Sequence, residues 1–405
     1  MKNFFLFIAL CFITVLQAQE IKVSTKDNDL KLAALPYYSY GKGLGITSAD
    51  SLFQLNIRFR IQNRIGYIQN EDEDAAYDGQ IRRLRLRFDG YVGNPKYLYV
   101  IQLSFAPGDV GEIQEGENLN IIRDAAVFYR PNKHWNLVFG QTKIPGNRQR
   151  VNSSGALQLT DRSINNGKFN IDRDFGIQAY YLNEKHDAFS YNIKTAVTTG
   201  EGRNWTKSPD NGVAVTGKLE LFPLGAFTKD GANFEGDLAR EKSPKLMLSG
   251  VYHQNNHARR TQGQLGDDLF EQRTMKSFLA DAMLKYNGWA AMATYMKRDA
   301  KNPITVNPDD ITESNYVYTG NGMDYQLSYI FPSMYEIIGR YSTQSANNNI
   351  KDLAPNTREY TFGVTKYVWE HAFKVQTEFT YDKLSYFNGK TKDNWYVRFQ
   401  IEIGI

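Results

Sequence analysis

The stretch that decides the fold is IRRLRLRFDG, which runs from Ile81 to Gly90. Its arginines alternate with apolar side chains, and a β-strand points successive side chains to opposite faces. One face would therefore carry a row of cations and the other only hydrocarbon, namely Arg83, Arg85 and Arg87 against Leu84, Leu86 and Phe88. This pattern is typical of a transmembrane β-barrel, in which only alternate residues need to be apolar.

The same alternation recurs along the chain in segments of about ten residues, the length of a membrane-spanning strand. The final stretch, NWYVRFQIEIGI, places Trp395, Val397 and Phe399 on one face and Arg398 and Gln400 on the other. About 16 such segments predict an all-β fold, a 16-stranded antiparallel transmembrane β-barrel. They begin near residues 52, 80, 96, 120, 134, 173, 188, 211, 243, 273, 288, 316, 334, 357, 371 and 393.

Short polar links alternate with long ones along the chain. Outer-membrane barrels have short periplasmic turns and long external loops, so this rhythm predicts that both termini are periplasmic. One link departs from the rhythm: PLGAFTKDGANFEGDLAREK, residues 223–242, is long on the short-turn side.

A soluble β-sandwich is the main structural alternative, because it also alternates apolar and polar residues. Small residues on apolar faces, Ala291, Ala293 and Gly339, favour the barrel, since lipid requires no interlocking core. Aromatic residues also cluster at segment ends, where the membrane surfaces would lie. They are Tyr67, Tyr91, Tyr129, Trp289, Tyr295, Tyr329, Tyr367 and Trp369.

The amino terminus, MKNFFLFIALCFITVLQAQE, has the pattern of a secretory signal peptide cleaved after about Ala18. We predict a signal peptide over 1–18, a short periplasmic segment over 19–50 and the barrel over 51–405. The single cysteine, Cys11, lies in the signal, which excludes disulfides and cysteine metal sites from the mature chain. A net charge of +4 and a mean hydropathy of −0.51 indicate neither a nucleic-acid partner nor membrane-spanning helices.

The polar faces of a barrel line a water-filled lumen, so the arginines of the opening stretch would form a column inside the pore. Arg58 and Arg60 have the same parity on the preceding segment. Five guanidiniums on one wall would concentrate anions and give an anion-preferring channel. Alternatively the arginines pair with lumenal acids and only hold the wall together, although no acid lies between Gln80 and Phe88. Arg82 has the opposite parity and is expected at the membrane rim, where its long side chain can reach water.

The longest external link, residues 143–174, has no strand pattern, and such long unstructured links are uncommon unless functional. We expect this loop to fold into the barrel and narrow the channel; the alternative is a loop lying over the outer rim. Its cations outnumber its acids, with Lys143, Arg148, Arg150, Arg162, Lys168 and Arg173 against Asp161, Asp172 and Asp174. We predict that Lys143, Arg148, Arg150 and Arg162 bring positive charge into the pore.

This loop also carries a resemblance to a known family. GQTKIPGNRQRVNSSGALQLTDRS, Gly140 to Ser163, resembles the fifth strand and constriction loop of the phosphate-selective porins O and P of Gram-negative outer membranes. The matching residues are Gly140, Gln141, Lys143, Pro145, Ser153, Ser154, Asp161 and Arg162, and DLAREK, Asp237 to Lys242, resembles part of the family's long link. The resemblance implies a trimeric 16-stranded porin in outer-membrane lipid that passes phosphate or other small anions. Ile405 departs from the usual aromatic carboxyl terminus of outer-membrane proteins.

A non-selective general porin and an outer-membrane barrel hydrolase are the functional alternatives. The histidines accompany no nucleophile motif, and three fall in predicted short turns; they are His134, His186, His253, His257 and His371. HQNNH would suit zinc only on a helix with a glutamate base. EDED, Glu71 to Asp74, is typical of a solvated loop; the alternative is weak binding of a divalent cation in the first external loop. We therefore predict a channel that is not an enzyme and has no cofactor, and the permeant solute stays open.

Overall fold

Alternating residues form long strands through most of the chain. The structure, a computed structural model, describes residues 43–110, 120–205 and 210–405, so the predicted signal peptide and residues 19–42 lie outside it. The described strands are β1 Leu44–Thr47, β2 Phe53–Gln69, β3 Ala76–Val92, β4 Asn94–Ser104, β5 Ile122–Tyr129, β6 Trp135–Lys143, β7 Arg173–Asn183, β8 Ser190–Thr198, β9 Ala214–Phe222, β10 Lys245–Arg260, β11 Asp268–Tyr286, β12 Trp289–Ala300, β13 Ile304–Val306, β14 Ser314–Tyr316, β15 Gly320–Ile330, β16 Tyr335–Ala346, β17 Asn356–Trp369, β18 Phe373–Ser385 and β19 Thr391–Gly404.

The helices are short and lie in the links between strands. They are α1 Pro107–Val110, α2 Arg148–Val151 and α3 Ile164–Lys168, with 3₁₀ turns at Ser154–Ala156 and Thr228–Asn233. Over the residues that the structure describes, no helix is long and apolar enough to cross a membrane.

The predicted 16-stranded antiparallel barrel is confirmed. Its strands are β2–β12 and β15–β19; each pairs with the next along the chain, and β19 closes the ring on β2 from Gly404↔Arg60 to Trp395↔Gln69. The short β1 extends the sheet by pairing with the first part of β2, and β13 and β14 form a separate hairpin in a link. The strands begin close to the predicted positions, and β11 shows the largest displacement, to Asp268 instead of residue 273.

The barrel separates an apolar outer surface from a polar interior. On β19 the side chains of Phe399, Ile401 and Ile403 are exposed, whereas those of Gln400 and Glu402 are buried. In a soluble sandwich the apolar residues would instead be buried between two sheets. The observed inversion fits a wall whose outer face meets lipid.

The links form two sets at opposite ends of the barrel. At one end, here called the short-turn end, are brief connections such as 287–288, 331–334 and 370–372. At the other, the long-loop end, are 105–121, 144–172 and 199–213. The predicted exception is observed, because a long connection at residues 223–244 joins β9 to β10 at the short-turn end.

The prediction that Arg82 lies at the membrane rim is wrong. A register shift leaves Arg82 between the pairs Gln62↔Arg83 and Asn63↔Ile81. An extra residue of this kind changes which face the following side chains occupy. Arg82 and Arg83 therefore both point to the polar side of the sheet, where Arg82 donates to a carboxylate described below.

Aromatic rings cluster on the outer surface near both ends of the barrel, as predicted. Tyr97 stacks on Tyr129 at 5.2 Å near the short-turn end, and Tyr67 lies 5.5 Å from Trp395 near the long-loop end. Two of the aromatic residues that were predicted at the membrane surfaces face inward instead. Tyr367 is buried, with its hydroxyl on Glu336, and Tyr91 shares the inward parity of Arg87, because strand parity overrides position along the strand.

Candidate channel constriction

The 144–172 loop, which joins β6 to β7, is packed rather than solvated. Its apolar residues Ile144, Phe169 and Ile171 are at most 1% exposed. They form one cluster with side chains of β8, β10, β11 and β12, which are Ala196, Val251, Leu279 and Met296. Because burying one large apolar side chain contributes about 1.5–3 kcal/mol, this cluster fixes the loop against one part of the wall.

Polar contacts join the same loop to other parts of the wall. Three buried carboxylates on β11, β15 and β18 accept hydrogen bonds from it: Asp281 from the Arg148 N–H at 2.9 Å, Asp324 from Ser163 Oγ at 2.7 Å and Glu378 from the Thr160 N–H at 2.8 Å. β15 and β18 lie across the ring from β6 and β7, between which the loop is inserted. The loop therefore contacts strands around much of the ring.

β2 and β3 place arginine directly opposite arginine on the polar side. Arg58 pairs with Arg87 and Arg60 with Arg85 in the strand register. Like charges in directly opposite positions are destabilising unless a counterion separates them. Asp89 supplies one counterion, because its carboxylate accepts from Arg58 and from Arg87, both at 3.0 Å.

Two further acids come from links rather than from the strands. Asp109 in α1 accepts from Arg85 at 2.5 Å and from Arg123 at 2.8 Å. Asp161 of the 144–172 loop contacts three guanidiniums, those of Arg82 at 2.7 Å, Arg64 at 3.4 Å and Arg83 at 3.4 Å. Arg83, Arg85 and Arg87 are thus partly paired with acids, as the alternative interpretation of these arginines expected. Asp109 and Asp161 come from outside their own segment.

The polar face of β2 and β3 is here called the arginine wall, and it carries Arg58, Arg60, Arg83, Arg85 and Arg87. A cavity of about 550 Å³ borders this wall on the long-loop side. Within the described ranges, eight arginines and four carboxylates line it: Arg82, Arg83, Arg85, Arg123, Arg150, Arg162, Arg203 and Arg398, with Asp109, Asp161, Asp172 and Glu359. The cations therefore exceed the anions by two to one.

A smaller cavity of about 50 Å³ borders the same wall inside the barrel, on the short-turn side. Its charged lining in the described part of the chain consists of Arg58, Arg60, Arg85, Arg87, Lys143, Arg173 and Glu402, and the His371 ring also borders it. Arg85 borders both cavities. Ser154, which borders the smaller cavity, accepts from Arg60 at 2.6 Å and from Arg85 at 3.3 Å, so the loop touches the wall at the residue that the two cavities share.

The four cations predicted on the loop occupy different places. Arg150 and Arg162 border the larger cavity, where Arg150 pairs with Asp172 at 2.6 Å. Lys143 borders the smaller cavity and donates to the carbonyl oxygens of Val151 at 2.8 Å and Asn152 at 2.9 Å. Arg148 lies apart from both, with its guanidinium donating to the backbone oxygen of Phe234.

Several cavity residues escaped the sequence analysis. Arg398 has inward parity on β19 and was placed on the polar face, but it was not named as a site residue. Arg123 has the outward parity of Val127, and it reaches the interior because a register shift between Gln102↔Asp124 and Leu103↔Ile122 leaves it as an extra residue, as at Arg82. Arg203 lies in the link 199–213, which has no periodic signal. Its guanidinium donates to the Asp109 carbonyl oxygen at 3.2 Å, a contact between two distant links.

The loop carboxylates should stay ionised in mild acid. Burial alone would raise the pKa of Asp161, but Arg83, Arg82 and Arg64 outweigh it and hold that pKa below its usual range. The pKa values of Asp109 and Asp172 are likewise lowered, against burial, by Arg85 and Arg123 and by Arg150 and Arg173. The stability of these ion pairs is therefore present above the ordinary aspartate pKa and lost only as pH falls through the depressed values.

We expect the zero-current potential of the channel across a salt gradient to be the same at about pH 5.5 and at about pH 4, near the unperturbed aspartate pKa of about 3.9. The measurement is a planar-bilayer recording at each pH. A rise in anion preference with a midpoint near pH 4 would show that these carboxylates titrate normally and would contradict their pairing.

The described residues contain no group of three or more His, Cys, Asp or Glu side chains that could hold a metal ion. The buried histidine His253 contacts the Thr216 hydroxyl at 2.9 Å and the Gln264 amide at 3.3 Å. The wall and the loop together line the two charged cavities described above.

Solved structures of outer-membrane proteins share this fold. The outer membrane channel DcaP of Acinetobacter baumannii has a TM-score of 0.54 and 14% identity, with 89% of this chain and 99% of that chain covered. OmpF of Salmonella typhi, solved in complex with daunomycin, has a TM-score of 0.55 and 13% identity, with 89% and 100% covered. At such identities the likeness establishes the fold alone. No curated protein matches the chain.

The family comparison goes further than the structural likeness. Residues 53–396, which include nearly all of the barrel, match the phosphate-selective porin O and P family. The match covers the arginine wall, the 144–172 loop and the link at 223–244, and it indicates a channel rather than an enzyme. The chain belongs to the phosphate-selective porin O and P family and is an outer-membrane porin.

Proposed function

We propose that this porin is an anion-preferring diffusion channel for phosphate or other small anionic solutes. The observation that carries the proposal is the lining of the larger cavity, where arginines outnumber carboxylates two to one. Arginine stays charged at every working pH, and its planar fork matches phosphate and carboxylate oxygens. A low-dielectric wall with an excess of one charge raises the local concentration of the opposite ion.

The 144–172 loop would be the constriction in this channel. Support comes from its contacts around much of the ring and from Ser154, which accepts from Arg60 and from Arg85, the residue that borders both cavities. A solute passing from one cavity to the other would have to displace these hydrogen bonds. An anion could replace the serine oxygen as their acceptor, whereas a cation could not, so the same contacts would favour anions.

The outer surface of the barrel indicates what surrounds it in the membrane. The apolar outer face would contact outer-membrane lipid, with the short-turn end in the periplasm. Three barrels would associate through the wall β5–β9, where β5 has 8 residues and β6, β8 and β9 have 9 each, near the lower limit for spanning a bilayer. A neighbouring barrel would shield this low wall from lipid. Crosslinking in native membranes that yields only single chains would contradict the trimer.

A non-selective general porin is the second candidate. It is favoured by the pairing of Arg83, Arg85 and Arg87 with Asp161, Asp109 and Asp89, which offsets part of their charge. We further propose that the channel acts without catalysis.

A cysteine at the constriction separates these candidates. Cys11 is the only cysteine in the sequence, so Ser154→Cys would place a single thiol beyond the predicted signal. We expect a negatively charged methanethiosulfonate reagent to react with it faster than a positively charged one, after each rate is divided by that reagent's rate with a small thiol. Reaction should also lower the single-channel conductance. The measurement is the decay of current after reagent addition.

The matched control is Ser333→Cys, which lies exposed in the 331–334 turn. It should react with both reagents without charge preference and leave the conductance unchanged. Equal normalised rates at Ser154→Cys would favour the non-selective porin. Failure of both reagents to change the current there would contradict the position of the constriction.

A further inference from the structure

The connection at the short-turn end, residues 223–244, is too well packed to be a simple turn. Its Phe227 joins Phe222, Met247 and Met283 in an apolar cluster on the inner side of β9–β11. Phe234 stacks on His371 of the 370–372 turn with a ring separation of 4.5 Å. This connection, here called the inner link, therefore extends from its own strands to the β17–β18 turn.

Polar contacts fix the inner link to the wall. The Lys285 ammonium on β11 donates to three of its carbonyl oxygens, those of Gly231 at 2.8 Å, Phe234 at 3.1 Å and Gly236 at 2.7 Å. The Asp237 carboxylate accepts from the N–H of Gly288 at 2.8 Å and from that of Glu241 at 3.1 Å. These contacts give the buried polar groups of the link partners and hold the link against the wall.

The same link binds the 144–172 loop directly. The Glu235 carboxylate, 1% exposed, accepts from Gln149 Nε2 at 2.9 Å and from the Gln158 N–H at 2.9 Å. The Glu235 N–H donates to the Ala156 carbonyl oxygen at 3.3 Å. Arg148 completes the contact by donating to the Phe234 carbonyl oxygen, which explains why this loop cation lies away from the cavities.

We propose that the inner link is the second half of the constriction. It approaches from the short-turn end, holds the 144–172 loop by Glu235, and fills the lumen beside β9–β11, so that solutes pass only along the arginine wall. The contacts to Gln158 and Ala156 lie within four residues of Ser154, so losing them frees the segment that meets Arg60 and Arg85. The inference rests on the proposed channel function and assigns Glu235 as a positioning residue for the constriction.

The test is the full-length double variant Ala156→Cys/Glu235→Cys, recorded in planar bilayers. The N–H to carbonyl contact between these residues brings their backbones within reach of a disulfide. With the thiols reduced, the carboxylate clamp is missing, and we expect the conductance to rise roughly twofold because the narrowest section governs passage. Oxidation with air and copper should form the disulfide, restore the tether and return the conductance to the wild-type value.

Two single variants serve as comparisons. Glu235→Ala should match the reduced double variant, and Lys229→Ala, exposed on the same link, should match the wild type. Equal conductance in the oxidised and reduced double variant would overturn the proposal, as would failure of the disulfide to form. The zero-current potential of the wild type is recorded in parallel. A wild type without anion preference would contradict the proposed function alone. A Glu235→Ala conductance equal to that of the wild type would contradict the inner-link inference alone.

Discussion

Replacing Leu84 and Leu86 together with arginine should markedly lower the fraction of the protein that folds into membranes. These residues lie opposite Ile61 and Phe59, which are exposed on the apolar outer surface. A lipid-facing arginine near the bilayer midplane costs about 2–4 kcal/mol. Two such costs consume much of a typical folding free energy of about 5–15 kcal/mol. The measurement is the folded fraction after refolding into liposomes, read from the heat-dependent change in electrophoretic mobility.

The control is the double variant Leu84→Ala/Leu86→Ala, which shortens the same side chains without adding charge. It should fold like the wild type, because lipid tails can fill the space that a packed protein core could not. If the arginine variant also folds fully, the apolar parity of β3 does not face lipid and the orientation of the wall is wrong.

Replacing Arg83, Arg85 and Arg87 together with glutamine should sharply reduce anion preference without unfolding the barrel. Each acid that these arginines contact keeps another guanidinium: Asp89 keeps Arg58 at 3.0 Å, Asp109 keeps Arg123 at 2.8 Å, and Asp161 keeps Arg82 at 2.7 Å. No buried carboxylate of this set is therefore left without a partner, which is the usual cause of a large loss of stability.

The change nevertheless alters the charge of both cavities. The larger loses Arg83 and Arg85, and the smaller loses Arg85 and Arg87. Because each cation acts over a screening length of about 8 Å at physiological salt, their effects add, and several must be removed together. The remaining arginines still outnumber the carboxylates of the larger cavity, so the preference should weaken without reversing.

The barrel was predictable because lipid and water impose a strict two-residue period on each strand. That period also placed Arg58, Arg60, Arg83, Arg85 and Arg87 on the polar side, where the structure has them. It failed at Arg82, because one extra residue in a strand shifts parity and leaves no mark in the pattern of residue types. Tyr367 was misplaced for a different reason, since its position near a strand end was weighed above its parity.

The contacts within the lumen could not be predicted in the same way. Asp109, Asp161 and Glu235 reach their partners from links, and links have no period that relates one to another. Asp161 lies 79 positions from Arg82, and Glu235 lies 86 positions from Gln149. Only the folded ring brings such segments together. The sequence therefore identified the cations of the wall but neither their counterions nor the role of the inner link.

The central claim is that the arginine wall gives the channel its anion preference, and its most direct test is the zero-current potential across a potassium chloride gradient. We expect the wild type to give a potential of the sign set by chloride, and the triple glutamine variant a value much closer to zero. A control that removes the same charge elsewhere, Lys185→Gln/Lys301→Gln/Lys390→Gln at exposed link positions, should retain the wild-type value. A triple glutamine variant with the wild-type potential, or a wild type that prefers potassium, would contradict the claim.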